Sequence, residues 1–342
     1  MRLGVLTGGG DCPGLNAVIR AVVRRGVRAH GMDFVGFQDG WRGLLDDATQ
    51  PLGIAETTGI LPRGGTILGS SGANPYRFEG GPQRVFATLE RHELDGLVVI
   101  GGEGTLGAAA RLVEEGLKVV GVPKTIDNDI GGTDVTVGFH TAVQVASDAI
   151  DRLHSTAESH DRVMLVEVMG RNAGWIAVYA GMAGGADAIL IPEQPFDLDE
   201  CCHHLRRRHA SRSSFSIVVV AEGAVPKEGT LELPESLLDE NGFPRLGGLA
   251  NHLAPEIEKR TGFQTRVTIL GHLQRGGSPV AFDRVLGTRF GIAAADLAAA
   301  GGWGRMVARK AQDVEDVPLA EALAGRNLLP PELYREAEVF FG

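Results

Sequence analysis

The sequence predicts an α/β fold with two lobes, each holding a largely parallel sheet flanked by helices. Three observations carry that prediction. Short, nearly all-apolar runs recur along the 342 residues, as strands covered on both faces require. They end in Gly or Asp clusters and are followed by helical stretches, which is the alternation of parallel βαβ units. Glycine accounts for 49 residues, about twice the usual ~7%, while 43% of the chain is hydrophobic, so tight loops must join elements around a substantial core.

In order, a strand over 3–6 runs into Gly8, Gly9 and Gly10 and then a helix over 17–30. A second strand is read at 33–37. The strand over 97–100 meets the 101–104 turn before a helix over 106–115, and another strand follows at 119–122. A long helix over 141–159 begins just after Gly138, where the first group of strands ends and the lobe changes. Strands at 163–168, 188–191, 216–221 and 265–269 make the second group. The interval 223–248, rich in Pro and Gly, reads as an excursion loop or extra hairpin, and the Ala-rich helix over 281–300 crosses back to the first lobe.

Lys and Arg number 33 against 43 Asp and Glu, a formal net charge of −10. That leaves no general basic surface for nucleic acid or an anionic membrane, so any phosphate must be met by local groups. The longest apolar runs, 97–100 and 217–221, are strand-length, far below the roughly 20 residues of a membrane span. The N-terminus enters a strand pattern without the longer apolar stretch of a signal peptide. Cys12, Cys201 and Cys202 form no CxxC pair, which suits a reducing cytoplasm.

Ligands of open parallel sheets bind beyond the carboxyl ends of the strands, and three strand-following loops are chemically unusual. Gly8-Gly9-Gly10-Asp11-Cys12-Pro13-Gly14 joins a strand to a helix, so backbone N–H groups and a helix N-terminus can face an anion. It is neither GxGxxG nor the P-loop pattern, and a tight turn alone would also explain it. Gly101-Gly102-Glu103-Gly104-Thr105 repeats the arrangement and adds a carboxylate, which belongs beside phosphate if a Mg2+ lies between them. Pro123-Lys124-Thr125-Ile126-Asp127-Asn128-Asp129 offers a phosphate-binding cation, a hydroxyl, a base and a carboxylate for the metal side. Phosphoryl transfer asks for positioning, Mg2+ on the phosphate oxygens and a carboxylate for the attacking hydroxyl's proton, and the three loops supply those parts.

The second half carries Arg162, Met169-Gly170-Arg171, Glu222, Arg266 and Gly271-His272-Leu273-Gln274-Arg275-Gly276-Gly277. Four arginines and His272 beside strand ends of an acidic chain suit an anionic substrate, since the guanidinium fork matches phosphate. Glu222 suits sugar hydroxyls. Singly, each arginine also reads as half of a surface ion pair and His272 as a structural residue.

Five signatures, taken in order, resemble those of the 6-phosphofructokinase family: 9–16, 101–105, 123–129, 168–171 and 271–277. The likeness spans nearly the whole chain and, with Glu103 and Lys124, is similar to an actinobacterial branch in which ATP- and pyrophosphate-using members mix. It implies a phosphofructokinase-like, Rossmann-like fold. The phosphoryl-donor lobe would comprise 1–138 and about 276–322, and the sugar-phosphate lobe 139–275 and about 323–342. Asp127 would deprotonate the C1 hydroxyl of fructose 6-phosphate, with Thr125 and Arg171 beside the reacting groups. Gly10, Glu103, Gly104, Thr105 and Lys124 would hold ATP, and Glu103 and Asp129 the Mg2+. Met169, Gly170, Arg171, Glu222, His272 and Arg275 would hold the sugar phosphate, with Thr125 and Asp127. Arg162 and Arg266 would reach in from a neighbouring subunit of a homo-oligomer, a tetramer by family likeness.

Departures from the family pattern bear on the donor. Gly104 goes with ATP, because a side chain there would occupy nucleotide space, whereas Lys124 stands where pyrophosphate-using members carry lysine. The steric argument is given more weight, with pyrophosphate as the alternative donor and sedoheptulose 7-phosphate as an alternative acceptor. Glu103 replaces the commoner Asp and keeps the charge. Gly72 stands where relatives commonly place an Arg toward the transferring phosphate, so either Arg77 or Lys124 substitutes or the chain is a slow or repurposed paralogue. A non-catalytic sugar-phosphate or nucleotide sensor is the reading from another class, and Asp127, Asp129, Thr125 and Arg171 speak against it. The absence of GxGxxG after the first strand speaks against a dinucleotide oxidoreductase. Arg20, Arg24 and Arg63 resemble effector-site positions, from whose basic residues His154 and Ser213-Ser214 depart.

Overall fold

The computed structural model describes residues 1–210, 215–231 and 247–341. The chain divides into two compact units, Met1–Thr141 with Arg275–Asn327, and Ala142–Gln274 with Leu328–Gly342. In chain order the strands are β1 (Arg2–Gly8), β2 (Asp33–Phe37), β3 (Thr49–Pro51), β4 (Gly96–Gly101), β5 (Val119–Thr125) and β6 (Val137–Gly138). They continue with β7 (Val163–Val168), β8 (Ala188–Leu190), β9 (Ser216–Ala221), β10 (Thr265–Ile269), β11 (Arg305–Lys310) and β12 (Asp313–Pro318).

Among the described residues these strands form two sheets. The sheet of the first unit runs β12-β11-β5-β4-β1-β2-β3, with β6 against β5. Its centre, β5-β4-β1, is parallel, and each of these strands is buried along nearly its whole length. Such strands carry no polar alternation because neither face meets water. The helix Leu15–His30 buries Leu15, Val18, Ile19, Val22 and Val23 at helical spacing and stops at Gly31, whose φ of 60° suits a residue without Cβ. The Ala-rich helix Ala281–Ala299 belongs to this first unit and packs on Leu15–His30; a Cβ on Gly291 would lie 2.5 Å from the Val18 carbonyl oxygen.

The second unit holds the sheet β10-β7-β9-β8, all parallel. Its last helix, Pro331–Glu338, is fixed by Tyr334, whose hydroxyl donates to the Ile189 carbonyl at 2.8 Å.

The strands read in the sequence are all present, and both sheets are largely parallel. The antiparallel edges, β3 on β2 and β12 on β11, carry no such signal. β11 turns into β12 through Ala311, at φ 51°, and Gln312, without the Asn-Gly or Asp-Gly that marks a two-residue hairpin. Within the Pro- and Gly-rich interval, residues 232–246 lie outside the described residues, as does Ser213-Ser214. No helix among the described residues is long and apolar enough to cross a membrane.

Candidate active site

The three unusual loops leave β1, β4 and β5, which are neighbours in the sheet, so strand order alone brings them together. Thr105 locks the first two: its buried side chain fills the space where a Cβ on Gly8 or Gly101 would stand, 2.6 and 2.4 Å from its nearest atoms. Glycine at the ends of β1 and β4 is therefore a packing requirement. Gly10 and Gly104 remain exposed, and a Cβ on Gly104 would meet no atom within 4 Å.

Lys124 ties the first loop to β5. The residue is 2% exposed, and its ammonium donates to the carbonyl oxygens of Gly8, at 2.9 Å, and Gly10. Burial lowers its pKa from the usual lysine value. The Cys12 thiol donates to Val137 O at 3.3 Å, and burial pushes its pKa up to about 12, so it stays a protonated, unreactive sulfur.

The third loop is pinned at Asn128, buried and at φ 55°. Its Nδ2 donates to Asp134 O at 3.2 Å, and its Oδ1 accepts from Thr136 N at 2.8 Å and Thr136 Oγ1 at 3.2 Å. Thr136 Oγ1 also lies 2.6 Å from Thr125 O, while Asp127 N donates to Thr125 Oγ1 at 3.1 Å. Behind the loop, β6 pairs Val137 with Lys124 and Gly138 with Thr125. The wholly buried Asp283 secures that strand by accepting from Gly138 N at 2.9 Å, Thr141 N at 2.7 Å and Thr141 Oγ1 at 2.6 Å. Burial raises the Asp283 carboxyl pKa and these three donors oppose it.

Two arginines border the glycine loops. Arg275, a sugar-phosphate residue by resemblance, lies in the first unit against Gly10, where a Cβ would be 2.2 Å from its Nη1, and donates to Asp11 O at 3.3 Å. Arg326 Nη2 is 3.3 Å from both carboxylate oxygens of Glu103. The segment around Gly72 abuts the first loop too, through Gly9 N donating to Ser71 O at 2.9 Å and Ser70 Oγ bonding to Gly9 O.

In the second unit, Met169-Gly170-Arg171 follows β7, Glu222 follows β9 and His272 follows β10, again neighbouring parallel strands. Glu222 N donates to Val168 O at 2.9 Å and Met169 N to Gln274 Oε1 at 3.3 Å, holding these strand ends together. Arg162 and Arg266 are not among them. Arg162 precedes β7, with Nε donating to Gln264 Oε1 at 3.2 Å, and Arg266 is exposed near the start of β10. The six residues of β7 separate Arg162 from Met169, roughly 20 Å at ~3.3 Å each.

Of the effector-like positions, Arg20 and Arg24 line a cavity of about 460 Å³ with Arg25, Arg28, Thr288 and Ile292, and Arg63 lies outside it. His154 Nε2 bonds to Gly184 O at 2.6 Å. Sequence reasoning missed Asn128, Thr136, Asp283, Arg326 and Asn327. Asn128 had a signal, since Asn tolerates left-handed φ and stands between the two carboxylates. Asp283 had none, because its partner Gly138 is 145 residues away.

Exposed glycine turns at neighbouring parallel strand ends, one opening a helix and one beside a carboxylate loop, define an α/β protein that handles phosphate. A family model described as phosphofructokinase matches residues 2–298, and the chain belongs to the phosphofructokinase family and is a phosphotransferase. Over 344 residues and the full length of both chains it is 57% identical to a Streptomyces coelicolor protein named pyrophosphate–fructose 6-phosphate 1-phosphotransferase. It is 56% identical, over 343 residues and again the full length of both, to a Mycobacterium tuberculosis protein named ATP-dependent 6-phosphofructokinase. The solved phosphofructokinase of Saccharomyces cerevisiae is similar at TM-score 0.81 and 32% identity. The match covers 94% of this chain and 45% of that one, so this chain spans about half the yeast chain's length.

Proposed function

We propose that the protein transfers a phosphoryl group from ATP to the C1 hydroxyl of fructose 6-phosphate, requires Mg2+, and works as a cytoplasmic homo-oligomer. The observation that carries this reading is the pinned loop 125–129, which presents Asp127 beside the glycine turns. A fixed carboxylate there suits removal of the attacking hydroxyl's proton, and Thr125 suits orientation of the transferring group. The first unit would bind the donor, and Met169, Gly170, Arg171, Glu222 and His272 of the second would bind the sugar phosphate. Arg275, resting on Gly10, would serve at the edge of the donor loop.

The carboxylates offered to a metal are Glu103 and Asp129. Among the described residues no three His, Cys, Asp or Glu side chains gather to hold an ion by themselves. Such oxygen donors fit Mg2+, which takes one or two carboxylates and completes its shell with phosphate oxygens and water. When bound, the ion supplies neutralisation of phosphate charge.

ATP is favoured over pyrophosphate on two grounds. The space beside Gly104 is open, leaving room for a nucleotide, and the Lys124 ammonium is occupied by two backbone carbonyls instead of facing a free phosphate. Relatives of nearly equal identity bear both donor names, so likeness alone does not choose. The position of Arg162 and Arg266, at the far end of their strands from Met169 and His272, supports their serving a neighbouring copy.

The test is product formation from fructose 6-phosphate and Mg2+ with ATP and with pyrophosphate in parallel, plus a sedoheptulose 7-phosphate arm. Turnover with ATP is expected. Turnover with pyrophosphate alone would reverse the donor assignment, and turnover with neither would leave a silent paralogue.

A further inference from the structure

Arg326 has no part in the chemistry above, yet the fold fastens it to the catalytic loop. Ile130 and Arg326 form an antiparallel bridge, Asn327 N donates to Asp129 O at 3.2 Å, and Asn327 Nδ2 donates to Asn128 O at 2.9 Å. Gly131 sits so close behind that a Cβ there would lie 2.6 Å from the carbonyl oxygens of both Ala322 and Gly325. From this anchored backbone the guanidinium crosses to the second glycine loop and meets Glu103. One side chain thus spans the carboxylate loop and the head of the helix Glu103–Glu114.

The pair differs from an ordinary surface ion pair in two respects. Its two contacts, at 3.3 Å, are long beside the ~2.7–2.9 Å of charge-assisted bonds, so Glu103 holds the guanidinium loosely. Among the described residues, Nε and Nη1 of Arg326 find no acceptor, so most of the fork's donors stand open on a side chain 46% exposed. Lys124, the cation of the third loop, is committed elsewhere, to the carbonyls of Gly8 and Gly10.

We propose that Arg326 binds phosphate oxygens of the phosphoryl donor, a di- or triphosphate. The proposal rests on the reading of these loops as the donor site. A guanidinium fork matches phosphate geometry with two parallel bonds, and a polyphosphate anion displaces the loosely held Glu103 as its partner. Without a donor bound, the same pair keeps the Glu103 charge balanced.

Calorimetric binding of Mg-ATP and of Mg-pyrophosphate to the full chain tests this for wild type, Arg326→Ala and Arg326→Lys, alongside steady-state kinetics. Donor affinity and donor KM should worsen about tenfold or more in Arg326→Ala and less in Arg326→Lys, with the fructose 6-phosphate KM within about twofold. Unchanged donor affinity in Arg326→Ala overturns the proposal. So does loss of the effect in a Glu103→Gln background, because Arg326 would then act only through Glu103. If Arg326→Ala fails to fold, Arg326→Gln takes its place with the same expected loss. Wild-type donor binding without turnover would sink the kinase reading and leave the Arg326 comparison decisive. Wild-type binding of neither polyphosphate would overturn the Arg326 proposal as well.

Discussion

The Lys124 ammonium donates to the Gly8 carbonyl at 2.9 Å, across 116 residues of sequence, and to that of Gly10 as well. A lysine that reads as a phosphate cation is thus a buried staple between β5 and the first glycine turn. Lys124→Met keeps the length of the side chain and leaves both carbonyls without their donor. A buried acceptor stranded in this way costs about 1–3 kcal/mol, so the urea midpoint should fall clearly below that of the wild type. An unchanged midpoint would mean that the ammonium does not hold the turn.

Asp127→Asn keeps the shape of the side chain and removes its capacity to take a proton. Turnover should fall by ~10²–10⁴, while the Kd for fructose 6-phosphate stays within about twofold. Retained turnover in the purified variant would remove Asp127 as the base.

Gly104→Asp places a carboxylate in the open space that a Cβ at this position would enter. The ratio of kcat/KM for ATP to that for pyrophosphate should drop by about tenfold or more, because the side chain excludes nucleotide but not the smaller anion. The same ratio in variant and wild type would defeat the steric argument.

Asn128 combines a left-handed backbone with bonds to Asp134 and Thr136. Asn128→Ala loses both, at a cost of about 2–4 kcal/mol, and Asn128→Gly recovers only the roughly 1 kcal/mol of backbone strain. Both variants should lose kcat more than their melting temperatures suggest, since the loop they free carries Asp127. Kinetics and thermal unfolding of the pair separate the two contributions.

The His140 ring packs tilted against Phe282 with ring centroids 3.8 Å apart, and Arg309 lies 5.0 Å over the same Phe282 ring. Burial first, and then Arg309, lowers its pKa to about 4 from 6.5. The unfolded chain takes up this proton near 6.5 and the folded chain only near 4, so the stability contribution is full above 6.5 and is lost as pH falls through that window. His140→Leu should therefore show a smaller loss of urea midpoint between about pH 7.5 and about pH 5 than the wild type.

Much of the fold was legible because parallel strands covered on both faces write themselves as nearly unbroken apolar runs, as in β4 and β9. Asp127, Asp129, Glu103 and Gly104 stood out as candidates for a related reason: each lies in a short loop after a strand where several chemically capable residue types are adjacent. The β11–β12 hairpin was not, since its turn through Ala311 and Gln312 carries no residue typical of one.

The sequence by itself determined the α/β class, the three strand-end loops and the family they resemble, all of which are encoded in short windows where local pattern and chemistry coincide. Only the tertiary structure decided that Lys124 faces backbone carbonyls, that Arg275 rests on Gly10, that Asp283 secures the strand behind the 125–129 loop and that Asn327 bonds to that loop. Hydrogen bonds between residues a hundred or more positions apart depend on which strands lie side by side, and no local window of sequence contains that information.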